Sequence, residues 1–180
     1  MNITGMFSTV ERLAIVRAVI FRAGPFGVGE LARKTGLSKG LVSQFLRMMK
    51  KEGLLRREKN SFFVVDNVKT ASVRLLLGLS GLDATVFRKF KFVRRAGLYG
   101  SFAKGTNNED SDIDLWVLVD GASETELAGL TKALKAMDGR IRPLYLTREK
   151  LTRLKKEEQT FYYSLFFGTI NVFGDENEPI

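Results

Sequence analysis

The sequence contains no cysteine and no histidine, and only three prolines and one tryptophan in 180 residues. Without thiols there can be no disulfide, no cysteine nucleophile and no zinc site built on sulfur. Without imidazole, every mechanism that uses a histidine base is excluded as well. Any metal must be held by oxygen, which favours magnesium, manganese or calcium. Long hydrophobic runs are also missing. The N-terminal stretch LAIVRAVIF is too short to cross a bilayer, contains Arg17, and is followed by no small-residue cleavage site. A cytoplasmic protein without a membrane partner is expected.

What is present is a globular composition, 44% hydrophobic and 27% charged, with a net charge of +9 that is unevenly spread. Residues 1–66 carry 12 Lys and Arg against 5 Asp and Glu, and residues 67–95 carry 7 against 1. Residues 96–180 reverse the balance, with 10 against 14. A basic front and an acidic back suggest a polyanion-binding module joined to something different.

The front half is punctuated like a helical domain. Ser8-Thr-Val-Glu11 reads as a capping box opening a first helix, with Leu13, Val16, Ala18, Ile20 and Phe21 as its apolar face, stopped by Gly24-Pro25. A second helix fits Val28–Thr35 with Gly36 as its stop, and Ser38 caps a third, KGLVSQFLRMMKKE, closed by Gly53. The segment LLRREKNSFFVV then reads as a hairpin turning at Lys59-Asn60. Three helices and a basic hairpin make a winged helix-turn-helix. In its third helix Leu41, Val42, Phe45, Leu46 and Met49 face the core. Lys39, Ser43, Gln44, Arg47 and Lys51 are left outside, the set a recognition helix offers to the major groove of double-stranded DNA. Arg56, Arg57 and Lys59 on the wing would reach backbone or minor groove. A solvated charged face used for protein contacts is the plainer alternative. From Thr9 to Val65 the segment resembles archaeal and bacterial winged-helix regulators.

Residues 67–94 read as a helical connector, apolar in VKTASVRLLLGLSGL and basic-aromatic in FRKFKFVRR. Such a connector either makes a homodimer contact or packs between domains. After it, strands at Ala96–Tyr99, Ile113–Val119, Arg140–Leu146 and Thr169–Phe173 alternate with helices, one over Glu124–Met137 and others through Phe167. The expected fold is α+β: a winged helix-turn-helix over 1–66, the connector over 67–94, and a small α/β mixed sheet with flanking helices over 95–180.

The chemistry concentrates in YGSFAKGTNNEDSDIDLWV, residues 99–117. A phosphate-binding P-loop fails because Thr106, not Lys, follows Gly105. An acyl-serine pair, Ser101 with Lys104, lacks its companion motifs. A calcium loop starting at Asp110 lacks both the sixth-position glycine and the distal glutamate. An ordinary capped turn entering a strand remains as the bland reading. Nucleotidyl transfer uses more of the residues. Gly100 lets the backbone approach a ligand, and the Ser101 hydroxyl and neighbouring amides cradle phosphates, with Lys104 adding charge. Asp112 and Asp114, two apart on a strand, share one face and can hold one or two magnesium ions that bridge the phosphates.

LYGSFAKGTNNEDSDIDLWVLV resembles the signature of the polymerase-β-like nucleotidyltransferase superfamily, in its minimal branch. The pattern is Gly-Ser, about ten residues, then Asp-hydrophobic-Asp, and it falls on Gly100, Ser101, Asp112 and Asp114. The resemblance runs from about Val93 to Gly174, and the closing GTINVFGDE is similar to the family's last strand. It implies Mg2+ or Mn2+, a nucleoside triphosphate, and transfer of NMP to a hydroxyl of a protein, RNA or small-molecule acceptor, with Asp112 and Asp114 catalytic. One element departs from the pattern. The family's third carboxylate sits on the strand after the helix, here GRIRPLYLT, which holds no acid; Arg142 or a neighbour stands in its place. Two functions remain open: a DNA-binding nucleotidyltransferase, or a transcriptional regulator whose degenerate transferase domain senses nucleotide or docks a partner.

Overall fold

The computed structural model describes residues 3–174, so the last two residues of the GTINVFGDE motif, Asp175 and Glu176, lie outside it. The chain divides into two compact units, one of Met1–Leu77 with Gly105–Asp110, the other of Gly78–Lys104 with Ser111–Ile180.

The first unit holds α1 (Ile3–Phe7), α2 (Val10–Val19), α3 (Val28–Thr35) and α4 (Lys39–Lys51), then the hairpin β1 (Leu55–Glu58) and β2 (Ser61–Val64). Most of α5 (Val68–Ser80) follows, and the division between units falls inside that helix. The cap of α2 is Thr9 rather than Ser8: its side chain accepts from the Arg12 amide, while Ser8 accepts from the Arg12 guanidinium at 2.9 Å. The extra helix α1 is the reason, since it brings its own Gly5 carbonyl within 2.8 Å of the same guanidinium. Gly36 and Gly53 end α3 and α4 at φ of +71° and +81°, a region a side chain disfavours. Lys59 takes a positive φ at the hairpin tip, where the two-residue turn needs it.

Val42, Phe45, Leu46 and Met49 of α4 are buried against Ile15, Val16 and Val19 of α2 and Leu31 of α3. Each such side chain contributes about 1.5–3 kcal/mol when fully withdrawn from water. Leu41, expected in this core, is only partly buried. Arg74 of α5 is buried, yet fully used: it donates to the Ile20 carbonyl and pairs with Asp66, both at 2.8 Å.

The second unit opens with a 3-10 turn (Ala84–Lys89), not a continued helix, and its first strand β3 starts at Val93 and ends at Leu98. Then come α6 (Gly100–Lys104), β4 (Ile113–Val119), α7 (Glu124–Met137), β5 (Ile141–Leu146), α8 (Arg148–Glu157), α9 (Gln159–Phe167) and β6 (Ile170–Phe173). The sheet order is β5-β4-β3-β6. β4 and β5 are parallel, joined by α7, and the other pairs are antiparallel. β4 reads IDLWVLV because both its faces are covered. Ile113, Leu115, Val117 and Val119 meet Leu130 and Leu134 of α7 on one face. Trp116 and Leu118 meet Leu151, Leu154 and Leu165 of α8 and α9 on the other. Two glycines admit close packing: the Trp116 ring lies where a Cβ on Gly97 would stand, and the Phe102 ring where one on Gly78 would stand.

Residues Val68–Lys89 have the length and composition of a membrane span. In the fold they are α5, a break, and the 3-10 turn, with Thr70, Val73, Arg74, Leu77 and Phe87 buried among protein side chains.

Candidate nucleotide and nucleic-acid sites

The Gly-Ser turn and the aspartates meet where β3 and β4 lie side by side. β3 ends at Leu98, and Tyr99 still donates its amide to the Asp114 carbonyl at 3.0 Å. The chain then turns through Gly100 at φ +69° into α6. The turn has no room for a side chain. A Cβ on Gly100 would stand 2.5 Å from Asp114 Oδ2, so the carboxylate lies directly over the glycine backbone. Ser101 is half-buried at the start of α6, Lys104 exposed at its end.

Asp114 belongs to β4 and faces the same side as Trp116, opposite Ile113 and Leu115. Asp112 stands one residue before the strand begins, so only one of the two carboxylates is held by the sheet. Burial, and then the charge of Asp112, push the Asp114 carboxyl above its ordinary range. Burial, and then Asp114, do the same to the Tyr99 phenol. Two mutually repelling carboxylates, one of them partly withdrawn from water, form an electrostatic trough that a cation would relieve.

A cation is already there. In the parallel register Asp114 lies opposite Arg142 of β5, and the Arg142 guanidinium reaches Asp112 Oδ1 at 3.0 Å. It also donates to the Gly139 carbonyl at 2.8 Å. Arg140, expected to open this strand, lies before it and forks onto Asp138. Asp138 is thereby engaged away from the aspartate pair. Among the described residues no group of three or more acidic side chains is placed to hold a metal. The donor set that remains, two carboxylates with hard oxygen donors, is of the kind that would suit a divalent cation sharing its other positions with phosphate and water.

Tyr99 and Trp116, which frame the aspartates, were not singled out by their sequence pattern. Tyr99 packs edge-on to Phe161 of α9, centroids 6.3 Å apart. Trp116 donates Nε1–H to Thr169 Oγ1, which in turn donates to the Leu98 carbonyl, each at 2.6 Å. This chain pins β4 to the end of β3, immediately before the Gly-Ser turn.

In the first unit, Lys39, Gln44, Arg47 and Lys51 of α4 are exposed and Ser43 half-buried. Lys50 is exposed as well. On the wing, Arg56 pairs with Glu58 and lies over Phe63 at 4.4 Å. Arg57 donates to the Lys59 carbonyl at 3.2 Å. The wing arginines are thus laid along their own hairpin, with Lys59 exposed at the tip.

Two family models each match part of the chain. Residues 9–57 match the family model described as bacterial regulatory protein, arsR family, and residues 84–166 match the nucleotidyltransferase domain model. No curated protein matches the chain. Among solved structures, a mutant of the MntA-HpeT toxin–antitoxin is similar at 18% identity and TM-score 0.39, over 51% of this chain and 70% of that one. A toxin–antitoxin structure with AMP-PNP is similar at 20% identity and TM-score 0.39, over the same shares. A Sulfolobus solfataricus protein assigned as a nucleotidyltransferase is similar at 17% identity and TM-score 0.38, over 63% of this chain and 91% of that one. Domains of the matched class in general use a nucleoside triphosphate and a divalent metal.

Proposed function

We propose that the protein is a cytoplasmic DNA-binding regulator whose nucleotidyltransferase domain takes up a nucleoside triphosphate with magnesium on Asp112 and Asp114. The observation that carries this reading is the placement of the Asp114 carboxylate over the side-chain-free backbone of Gly100, with Asp112 beside it. That arrangement brings a phosphate cradle and a metal-ligating pair into one turn. Gly100 leaves the backbone open to a phosphate, Ser101 offers a hydroxyl, and Lys104 adds positive charge at the end of the same short helix. When bound, the metal would neutralise the phosphates and polarise the α-phosphorus.

Arg142 sets the limit on catalysis. A guanidinium neither ligates magnesium nor accepts a proton, because it stays charged in a protein. Arg142 sits on Asp112, and among the described residues no third carboxylate joins the pair to bring an acceptor hydroxyl to reactivity. The reading is therefore nucleotide uptake with slow transfer, and the acceptor of that slow transfer would be a hydroxyl of protein or RNA. Duplex DNA is assigned to α4 and the wing, where Lys39, Gln44, Arg47, Lys51 and Lys59 are exposed. Self-association is assigned to α5, whose exposed Val68 and Leu76 lie two turns apart. The test is calorimetric titration of ATP with and without magnesium. Binding should require the metal, and the paired change Asp112→Asn with Asp114→Asn should remove that requirement with most of the affinity. Unaltered magnesium-dependent binding in the double variant would reject the reading.

A further inference from the structure

Six of the ten residues that separate the Gly-Ser turn from the aspartates do not belong to the nucleotidyltransferase unit. Gly105–Asp110 cluster with the helix-turn-helix unit, while Lys104 before them and Ser111 after them return to the other. The contacts that hold this loop are specific. Gly105 takes φ +67° and sits so close to the Ala71 carbonyl of α5 that a Cβ would collide with it. Asn107 is buried, its carbonyl oxygen without a hydrogen-bond partner. Asn108 closes a turn by accepting from the Asp110 amide at 3.0 Å.

Glu109 makes the decisive contacts. Its amide donates to the Phe21 carbonyl at 2.8 Å, just beyond α2. Its carboxylate lies 3.5 Å from Arg22 Nε, and the same guanidinium reaches Glu30 of α3 at 2.7 Å. Arg22 therefore shares its charge between the loop and the first helix of the helix-turn-helix pair. Asp112 is three residues further along, a span of at most about 11 Å of extended chain. Any shift of Asp112 from Arg142 towards a metal must be absorbed within that tether or passed to Glu109.

We propose that loop 105–110 is a regulatory tether through which nucleotide and metal at the Gly100–Asp114 site alter the affinity of the helix-turn-helix for duplex DNA. This rests on the nucleotide-binding reading above and adds its regulation. Linkage requires the effect to be reciprocal: DNA must change nucleotide affinity by the same factor as nucleotide changes DNA affinity. The three-residue stretch of chain from Asp112 back to Glu109, followed by the ion pairs of Arg22 with Glu109 and with Glu30, supplies the physical route.

The experiment uses the full chain and a short fluorescein-labelled duplex of random sequence at low salt, titrated with and without magnesium-ATP. The affinity for duplex should change by about fivefold or more on adding the nucleotide. In Glu109→Gln the ratio should fall towards one, while the affinities for ATP alone and for duplex alone stay within about twofold of wild type. Gly105→Ala is the second variant, and melting curves establish that each is folded. Hydrogen exchange at the Glu109 amide gives a readout without DNA, and its rate should change when magnesium-ATP binds. ATP bound with no change in duplex affinity would overturn the proposal, as would a coupling ratio preserved in both variants. Absence of ATP binding would instead bring down the nucleotide reading, and the tether with it.

Discussion

Replacing Arg142 separates a self-blocked metal site from a phosphate clamp. The guanidinium and Asp112 are 3.0 Å apart, and both side chains are about half exposed, at 50% and 52%. An ion pair with that much water around it is worth at most about 1 kcal/mol. Arg142→Ala should therefore change folding stability by less than about 1 kcal/mol. The same quantity bounds the gain at the site. A metal that no longer competes with the guanidinium for Asp112 should bind tighter by up to about fivefold, the equivalent of about 1 kcal/mol. Arg142→Asp goes further, since register places position 142 opposite Asp114 and would supply the third carboxylate. Transfer of label from radioactive NTP to acceptor should rise in that variant, with nucleotide binding retained. The assays are calorimetry with magnesium-ATP and a paired transfer assay of wild type and variants. Nucleotide affinity that drops tenfold in Arg142→Ala would show that the guanidinium holds phosphate. Robust wild-type transfer that collapses in Arg142→Asp would show that it serves the reaction. Either result refutes the reasoning.

Other expectations follow from the same geometry. Gly100→Ala should cost about 1–2 kcal/mol for the left-handed backbone alone. The new methyl also displaces the Asp114 carboxylate, so ATP affinity should fall with the melting temperature; a variant that binds and melts as wild type contradicts this. Because burial and Asp112 raise the Asp114 carboxyl, ionising it opposes folding. Asp114→Asn should then stabilise the ligand-free protein at neutral pH, on the order of 0.5 kcal/mol because water still reaches the group, and the gain should vanish as pH falls below the ordinary carboxylate range. Equal melting at neutral pH would count against it. Binding to duplex should weaken steeply with salt. Arg47 substitution should relax base preference at one position by about 1–3 kcal/mol, whereas Arg57 substitution should weaken all sequences alike; a salt-titrated gel shift unaffected by either rejects the DNA surface.

Local signals in the sequence located most elements. Gly36, Gly53, Ser38 and the Lys59-Asn60 turn mark ends that depend on a few neighbouring residues, and they fall where expected. The turn at Gly100 was legible for the same reason. Errors arose where distant parts of the chain decide the outcome. The start of β3 was hidden in FRKFKFVRR, which reads as basic. The strand buries Arg95 by laying its guanidinium over the Trp116 ring, 5.9 Å away, a contact no local pattern announces. Asp112 was placed on a strand by its spacing from Asp114, but the ladder that would extend β4 to it does not form. The attachment of Glu109 to the segment just beyond α2 depends on residues 21 and 22, far away in sequence, and only Gly105 hints at it.

Manganese tests the central claim most directly, because it substitutes for magnesium and its free and bound forms differ in their paramagnetic resonance spectra. Titration in the presence of ATP should show one bound ion per chain in the wild type, its affinity rising in Arg142→Ala. The paired Asp112→Asn and Asp114→Asn change should leave only the manganese that ATP holds in free solution. One nucleotide-dependent ion retained by the double variant would contradict the assignment of Asp112 and Asp114 as the metal-holding pair.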